Sequence, residues 1–392
     1  MIRAGAGYSV SHNPRTAALE AVEAALRQAG LRRADAVLCF ATSRHGGAYP
    51  QLLRTVGEAA GTENVAGCST IGVIANGREI ENGHGLAALV IGGGLAMSRF
   101  FVPQLRNRAA DAARELAAAV KPRLGDNNLL CLFADSYNLE PAAFVETLSR
   151  ELPGVTIVGG GATEDGSTGE TFQFCGDVVS SNAISGMLFA GEIEVREGAA
   201  QACAPLGRLH EVTSVRDNVI LQLDGRRAFD VFAEVAGPLA GDFTRAAAFV
   251  FLGVPLSGTN AERLERGQFF VRNLLGVSEE HGAIAVAHRP RVGDRVGFVL
   301  RDAERSRGEL KNMLETTAAQ LPNPSFGLYF NCVSRGVNLY KVPDHDAAYI
   351  GRYLGATPVV GFFTGFEIGT LAGHLSPLQY TGVLTITGAR ET

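Results

Sequence analysis

The chain has 392 residues, of which 46% are hydrophobic, and it carries a net charge of −5 at pH 7. That length allows two or more domains with large cores, and the acidic balance argues against a nucleic-acid partner. No apolar run approaches the roughly 18 residues of a membrane span, and the N-terminus lacks the apolar segment of a signal peptide. The six cysteines show no CxxC spacing. We therefore expect a cytoplasmic protein with reduced thiols and neither a nucleic-acid nor a membrane partner.

The first predicted element is an amphipathic helix over residues 16–29. Asn13 suits its N-cap and Pro14 its first helical position, and Gly30 follows its last turn. Small apolar side chains recur along one stripe of this helix. We therefore expect it to pack against a sheet or another helix.

A strand–helix–strand pattern then recurs along the chain. In each copy an apolar strand ends in small polar residues, an amphipathic helix follows, and a second apolar run stops at a glycine cluster. The copies start with the strands 36–43, 129–136 and 326–334, in which Phe40, Phe133 and Phe330 hold matching positions. Neighbouring strands without an intervening helix, such as 86–90 and 96–102, indicate sheets that are partly antiparallel.

The two halves of the chain also match on a larger scale. His84 and His281 precede similar strand pairs, and the same spacing leads from them to Phe133 and Phe330. The pattern predicts an α/β fold of two related αβ halves, with mixed β-sheets flanked by helices and an internal duplication.

The boundary between the halves is expected within residues 192–209. Apolar density falls over residues 194–200, and a new helical pattern begins at 225–236. This predicts a first domain over 1–195 and a second over 205–392.

Five local motifs, in order along the chain, resemble motifs of the FIST family. GCSTIG at 67–72 resembles the glycine-flanked Cys-Ser turn of the N-terminal FIST domain. The segments that resemble the C-terminal FIST domain are 226–232, 269–277, 331–336 (NCVSRG) and 361–369 (GFFTGFEIG). Two departures stand out. Phe366 separates Gly365 from Glu367 where the family commonly has a Gly-Glu pair, and no histidine closely precedes Thr381, since His374 lies further back.

The resemblance implies a sensor. FIST domains are regarded as signal-input modules that bind small ligands, with amino acids the usual suggestion. We expect a stand-alone sensor that binds a small polar, amino acid-like metabolite and signals through a separate kinase-, cyclase- or chemoreceptor-type protein. No cofactor and no metal site are expected, because no HxxxH or HExxH occurs and Asp344-His345-Asp346 is typical of a helix N-cap.

The ligand is expected at the ends of the central strands, where pockets form in α/β sheets. Arg335 can pair with an acidic ligand group and Glu367 can accept an ammonium, although both can equally belong to structural ion pairs. The predicted ligand-binding residues are Cys68, Ser69, Thr70, Gly160, Gly161, Cys332, Ser334, Arg335, Gly336, Phe363, Glu367 and Thr381.

Two other classes of function stay open from the sequence. An enzyme would transfer acyl or amide groups with Cys68 or Cys332 as nucleophile, which requires a stabilised thiolate. A protein-interaction scaffold needs no ligand and would instead present an exposed apolar patch.

Overall fold

The computed structural model describes residues 1–256, 262–265 and 267–390. The chain divides into two compact units: unit 1 contains Met1–Ala199, Leu310–Pro377 and Thr381–Thr392, and unit 2 contains Ala200–Glu309 and Leu378–Tyr380. Unit 2 thus interrupts unit 1 along the chain. The division into consecutive domains 1–195 and 205–392 stays a prediction. The two compact units do not correspond to it, since each contains more than one segment of the chain. No helix among the described residues is long and apolar enough to cross a membrane.

Within the described residues, unit 1 contains three β/α modules, and module 1 opens the chain. Its elements are β1 (Arg3–Ser9), α1 (Pro14–Ala29), β2 (Ala36–Thr42), α2 (Tyr49–Ala60), β3 (Val65–Thr70), the hairpin β4 (Gly72–Ala75) and β5 (Arg78–Glu81), and β6 (Leu86–Gly92). As predicted, Asn13 caps α1, its side chain accepting a hydrogen bond of 3.0 Å from Thr16 N, and Gly30 ends the helix with φ 63°. β2 runs parallel to β3 and antiparallel to β6.

Module 2 repeats this order of elements. They are β7 (Leu95–Pro103), α3 (Ala109–Val120), β8 (Asn127–Asp135), α4 (Pro141–Glu151), β9 (Thr156–Ala162), the hairpin β10 (Gln173–Cys175) and β11 (Val178–Ser180), and β12 (Ala183–Gly191). β8 is parallel to β9 and antiparallel to β12. The parallel pair in the middle of the sheet is therefore the same as in module 1.

Module 3 is split by unit 2. It begins with β13 (Ile193–Gln201), after which come the elements of unit 2: β14 (Cys203–Arg216), β15 (Val219–Leu223), β16 (Arg226–Arg227), α5 (Ala228–Ala236), α6 (Phe243–Phe249), β17 (Val250–Pro255), β18 (Phe269–Arg272), β19 (Leu274–Ser278), β20 (Ala283–Val286) and β21 (Arg295–Arg301). The chain continues with α7 (Ala303–Gln320), β22 (Phe326–Cys332), α8 (Gly336–Tyr340), α9 (His345–Leu354), β23 (Val359–Thr364), the hairpin β24 (Glu367–Leu371) and β25 (His374–Leu378), and β26 (Thr381–Ala389). β22 is parallel to β23 and antiparallel to β26.

The hairpins of unit 1 are exchanged between modules in a ring. The hairpin β4–β5 of module 1 pairs with β23 of module 3, β24–β25 of module 3 pairs with β9 of module 2, and β10–β11 of module 2 pairs with β3 of module 1. The sheets have the orders β1-β6-β2-β3-β10-β11, β7-β12-β8-β9-β24-β25 and β13-β26-β22-β23-β4-β5. Each sheet therefore needs a hairpin from another module to be complete.

The α/β class, the mixed sheets flanked by helices and the internal repetition are confirmed. The matching phenylalanines meet between the modules: the ring centroids of Phe40 and Phe133 are 5.0 Å apart, and those of Phe133 and Phe330 are 6.4 Å apart. In module 3, β13 neighbours β26 as β7 neighbours β12. The sequence match between the two halves paired the strand β21 (Arg295–Arg301) with β7. In the structure β21 belongs instead to the separate sheet β18-β17-β21-β14-β15-β20-β19 of unit 2.

Candidate functional site

Several predicted ligand residues lie where the three modules of unit 1 meet. The hydroxyl of Thr70 lies 2.9 Å from the carbonyl oxygen of Phe363, and the hydroxyl of Thr163 lies 2.6 Å from the same oxygen. Gly161 N donates to Phe366 O at 2.8 Å. Thr70 and Gly161 are both buried. The strand ends that the sequence predicted to converge do converge, and they are joined by hydrogen bonds.

The cysteines at this junction are also buried. Cys68 is fully buried, and burial raises the pKa of its thiol well above the ordinary value. The thiol of Cys332 is within hydrogen-bonding reach of the Glu367 carboxyl. The hydroxyl of Ser69 accepts a hydrogen bond of 2.9 Å from Phe172 N. A protonated, buried Cys68 gives no support to an acyl-transfer nucleophile at that position.

Glu367 has protein partners on both carboxyl oxygens. Its Oε1 lies 2.5 Å from the Thr364 hydroxyl, and its Oε2 accepts from Thr381 N at 3.2 Å. It pairs across the sheet with Gly160. Burial outweighs these hydrogen bonds and the nearby charge of Arg335, and raises the pKa of Glu367 to about 8. At neutral pH the group is mainly protonated, so it differs from the anionic acceptor that the sequence predicted.

Arg335 forms a buried ion pair at the end of β22. Its Nη2 and Nε donate to Asp346 Oδ2 at 2.9 and 3.1 Å, and Nη2 also donates to the Tyr340 hydroxyl at 2.8 Å. Asp346 further accepts from the Tyr329 hydroxyl at 2.8 Å, and its Oδ1 lies 2.9 Å from His345 Nδ1. Burial opposes the charge of Asp346, but the guanidinium holds the pKa of this carboxyl well below its usual range. Arg335 thus has an internal partner where the sequence predicted an acidic ligand group.

The exchanged hairpin β4–β5 adds two carboxyl groups beside this ion pair. Glu79 Oε1 accepts from Ala347 N at 2.8 Å in the first turn of α9, and Glu81 Oε1 accepts from Val337 N at 3.1 Å in α8. Asp344 stands at the N-cap position of α9, but its Oδ1 accepts from Glu79 N at 2.6 Å. The segment Asp344-His345-Asp346 thus begins a helix as predicted, but the side chain that accepts from the first turn is Glu79 of another module and not Asp344.

Two further predicted residues, Ser334 and Gly336, flank Arg335 in the sequence, and Gly336 lies next to Glu81. Gly336 has φ 56°, and a Cβ placed there would lie 2.8 Å from both carboxylate oxygens of Glu81 and from the Phe363 ring. Ser334 is half-buried. A glycine at position 336 is what allows the hairpin to approach α8 this closely.

Module 3 differs from the other two modules in the side chains that its central strand presents to the helices. The equivalent positions are Cys39 and Ala41 in module 1, Leu132 and Ala134 in module 2, and Tyr329 and Asn331 in module 3. The first four belong to apolar cores. Sequence reasoning missed Tyr329 and Asn331, although aligning the three strands would have revealed them.

We call the polar cluster of module 3 the set Glu79, Glu81, Tyr329, Asn331, Arg335, Tyr340, His345 and Asp346. Burying charges costs desolvation free energy that an apolar core avoids. Two other copies of the same framework manage without such a cluster. Module 3 therefore bears a desolvation cost that the apolar layers of modules 1 and 2 avoid.

Two buried polar atoms of the cluster have no hydrogen-bond partner among the described residues, namely Asn331 Nδ2 and Glu79 Oε2. Buried polar atoms are nearly always paired, and an unpaired one costs about 1–3 kcal/mol. The cluster therefore contains one amide nitrogen and one carboxyl oxygen whose hydrogen-bonding capacity is unused among the described residues.

A surface cavity of about 860 Å³ lies elsewhere in unit 1, beside α2 and β7. None of the predicted ligand residues lines it. Its charged lining residues are Arg33, Arg54, Arg99, Glu58, Glu63 and Asp177. Because the two signs are balanced, the cavity offers no net charge by which to select a ligand.

Comparison with known proteins bears out the resemblance. A family model described as the FIST N domain matches residues 35–226, and one described as the FIST C domain matches residues 228–370. The chain belongs to the FIST family. FIST domains are associated with small-ligand sensing in signal transduction.

The FIST chain is similar over its whole length to mycobacterial proteins. An uncharacterized protein of Mycobacterium tuberculosis is 32% identical over 390 residues, covering 98% of this chain and 99% of that protein. An uncharacterized protein of Mycobacterium bovis is 27% identical over 389 residues, covering 98% of both. A solved structure of cyanuric acid hydrolase covers 99% of this chain and 100% of its own, with a TM-score of 0.40 and 9% identity, a likeness too low to bear on function.

Proposed function

We propose that this FIST protein is a sensor whose ligand, a small polar metabolite with amino acid-like groups, binds at the polar cluster of module 3. One observation carries the proposal. Among the three equivalent frameworks described in unit 1, module 3 alone replaces the apolar helix-facing layer with charged and polar groups, and two of their atoms lack partners. Family membership supports the sensory role.

The spare atoms define how a ligand would be held. Asn331 Nδ2 donates, so it suits a ligand carbonyl or carboxylate oxygen, and Glu79 Oε2 accepts once its carboxyl is ionised, so it then suits an ammonium or hydroxyl. The Arg335–Asp346 ion pair is a charged neighbour of Glu79. Of the other predicted ligand residues, Gly336 lies beside Glu81, whereas Thr70, Gly161, Glu367 and Thr381 form hydrogen bonds at the junction of the modules.

The hairpin β4–β5 supplies a route for the signal. Through Glu79 and Glu81 it is bonded to the first turns of α8 and α9, although it comes from module 1. A ligand that competes for Glu79 changes how firmly the hairpin holds α9. We propose that a separate signalling protein, of kinase, cyclase or chemoreceptor type, reads this change.

A thermal-shift screen of metabolites tests the function. Since a ligand stabilises by RT ln(1 + [L]/Kd), millimolar ligand at a micromolar Kd adds about 4 kcal/mol. The variant Asn331→Ala should lose the shift, whereas Asn338→Ala, exposed on α8, should keep it. A shift that survives in Asn331→Ala moves the site away from the cluster. If a partner protein but no small molecule shifts the transition, the interaction scaffold replaces the sensor.

A further inference from the structure

We propose that the polar cluster of module 3 selects a compact organic cation, a primary ammonium, over an anion. This inference rests on the function proposed above and names its ligand class. The acidic side chains of the cluster outnumber its basic partners: Asp346 is paired with Arg335, whereas Glu79 and Glu81 form no ion pair with any described residue. An entering cation can therefore be neutralised by ionisation of a carboxyl group that has no counter-charge, whereas an entering anion meets no such partner.

Glu79 provides the binding atom. Its side chain is 5% exposed, its Oε1 is fixed by Ala347 N at 2.8 Å, and its Oε2 is buried without a partner. An ammonium has three donors and no acceptor, which matches a spare carboxylate oxygen. Asn331 Nδ2, the spare donor, can then bind an oxygen at the other end of the ligand.

Arg335 does not offer an alternative anion site. Its guanidinium is fully buried and directed at Asp346 through both Nε and Nη2. An anionic ligand would have to displace Asp346, leaving that carboxylate buried without its counter-charge. The geometry therefore leaves Glu79, and not Arg335, to select the ligand.

Binding of an ammonium should depend on pH. The charged groups around Glu79 are Glu81 on its own strand, Asp344 with its partner Arg78, and Asp346 with its partner Arg335. Burial first, and then the negative charge of Asp346, raises the pKa of Glu79 to about 8. An ammonium must displace this proton, so amine affinity should rise by up to about tenfold per pH unit below that pKa.

Three probes of similar size separate the ligand charges: ethanolamine is a cation, glycine a zwitterion and glycolate an anion. Their binding to the full chain is measured by calorimetry and thermal shift at pH 7 and pH 9. We expect ethanolamine and glycine to bind, more tightly at pH 9, and glycolate not to bind. Glu79→Gln keeps an oxygen for Ala347 N but removes the charge, so it should weaken amine binding at least tenfold. Glu81→Gln is the second variant, and Glu146→Gln, an exposed acid on α4, is the matched control.

The outcomes distinguish this inference from the function on which it rests. If glycolate alone binds, and Asn331→Ala abolishes that binding, the sensor stands and the cation selectivity is overturned. If amine binding is unchanged in both Glu79→Gln and Glu81→Gln, these two carboxyl groups do not select the cation, and the inference is overturned. If neither these probes nor the metabolite screen gives any shift, both the inference and the sensor function fail.

Discussion

At the scale of single residues, the ion pair between Arg335 and Asp346 dominates the cluster. Both side chains are fully buried. Removing one partner of such a pair strands a charge in a medium of low polarity, whereas removing both is often close to neutral. The pair therefore gives module 3 a rigid wall whose stability depends on both members being present.

We predict that Arg335→Met lowers the free energy of unfolding by about 3–5 kcal/mol. The double variant with Asp346→Leu should recover much of this loss, because no charge is then left unpaired. Urea denaturation at pH 7 measures both. As a control, Lys121→Met breaks the exposed Lys121–Glu151 pair and should cost less than about 1 kcal/mol. Equal losses of unfolding free energy in Arg335→Met and Lys121→Met would contradict the burial of the Arg335–Asp346 pair.

The buried carboxyls Glu79 and Glu367 predict a pH dependence of stability. Burial raises both pKa values from the ordinary 4.5 to about 8, so the folded state binds these protons more tightly than the unfolded state does. Their contribution is present below pH 4.5 and is lost as the pH rises toward 8. The unfolding free energy should fall over this window by up to about 1.4 kcal/mol per pH unit for each group.

Urea denaturation between pH 5 and pH 9 measures this slope. Glu79→Gln and Glu367→Gln should each flatten it, since an amide does not titrate. A slope that is unchanged in both variants, or stability that increases with pH in this window, contradicts the placement of these carboxyls.

The residue-scale contacts were predictable in part. Thr70, Gly161 and Glu367 were expected at converging strand ends because each follows or begins an apolar strand, and the structure brings them together. The partner of Glu79 was not predictable, because Ala347 is distant in sequence and meets it through a hairpin that belongs to another module. Local patterns carry no information about such an exchange.

At the scale of elements, each central parallel pair depends on a glycine in its second strand. Gly361 pairs with Tyr329 in module 3, and Gly67 and Gly159 hold the equivalent positions in modules 1 and 2. A Cβ at any of the three would overlap the carbonyl oxygen of the neighbouring strand. This close approach explains why the sequence repeat ends in glycine.

We predict that Gly361→Ala destabilises the protein by about 3 kcal/mol or more, because the overlapping atom is rigid backbone that cannot move aside alone. Gly47→Ala is the control, since no atom lies within 4 Å of a Cβ added there. Denaturant midpoints of the two variants test the difference. Similar midpoints would show that the strands of module 3 lie further apart than described.

Helices were more predictable than sheets. α2 and α4 both carry Pro at the start of the first turn, and Gly61 ends α2, so the sequence marked their limits. The order of strands in each sheet was not predictable. The alternation of apolar and polar residues along a strand, and the length of the strand, do not specify which other strand it will pair with. The helix-facing pattern Tyr329–Asn331 was visible in the sequence and was missed.

At the scale of the whole molecule, the ring of exchanged hairpins makes the modules of unit 1 interdependent. Opening module 1 removes β4–β5 from module 3, and opening module 3 removes β24–β25 from module 2. We therefore predict that slowly exchanging amides in β2, β8 and β22 report a single opening free energy. Native-state hydrogen exchange measures this, and a module that opens at a clearly lower free energy than the others contradicts the interlocking.

The most direct test of the site is hydrogen exchange with and without the metabolite that gives the largest thermal shift. We predict increased protection over residues 78–81 and 336–347, which contain the hairpin carboxyls, α8 and the start of α9. Protection confined to residues 57–65 and the neighbourhood of Arg99, which line the 860 Å³ cavity, with no change in the polar cluster, would contradict it.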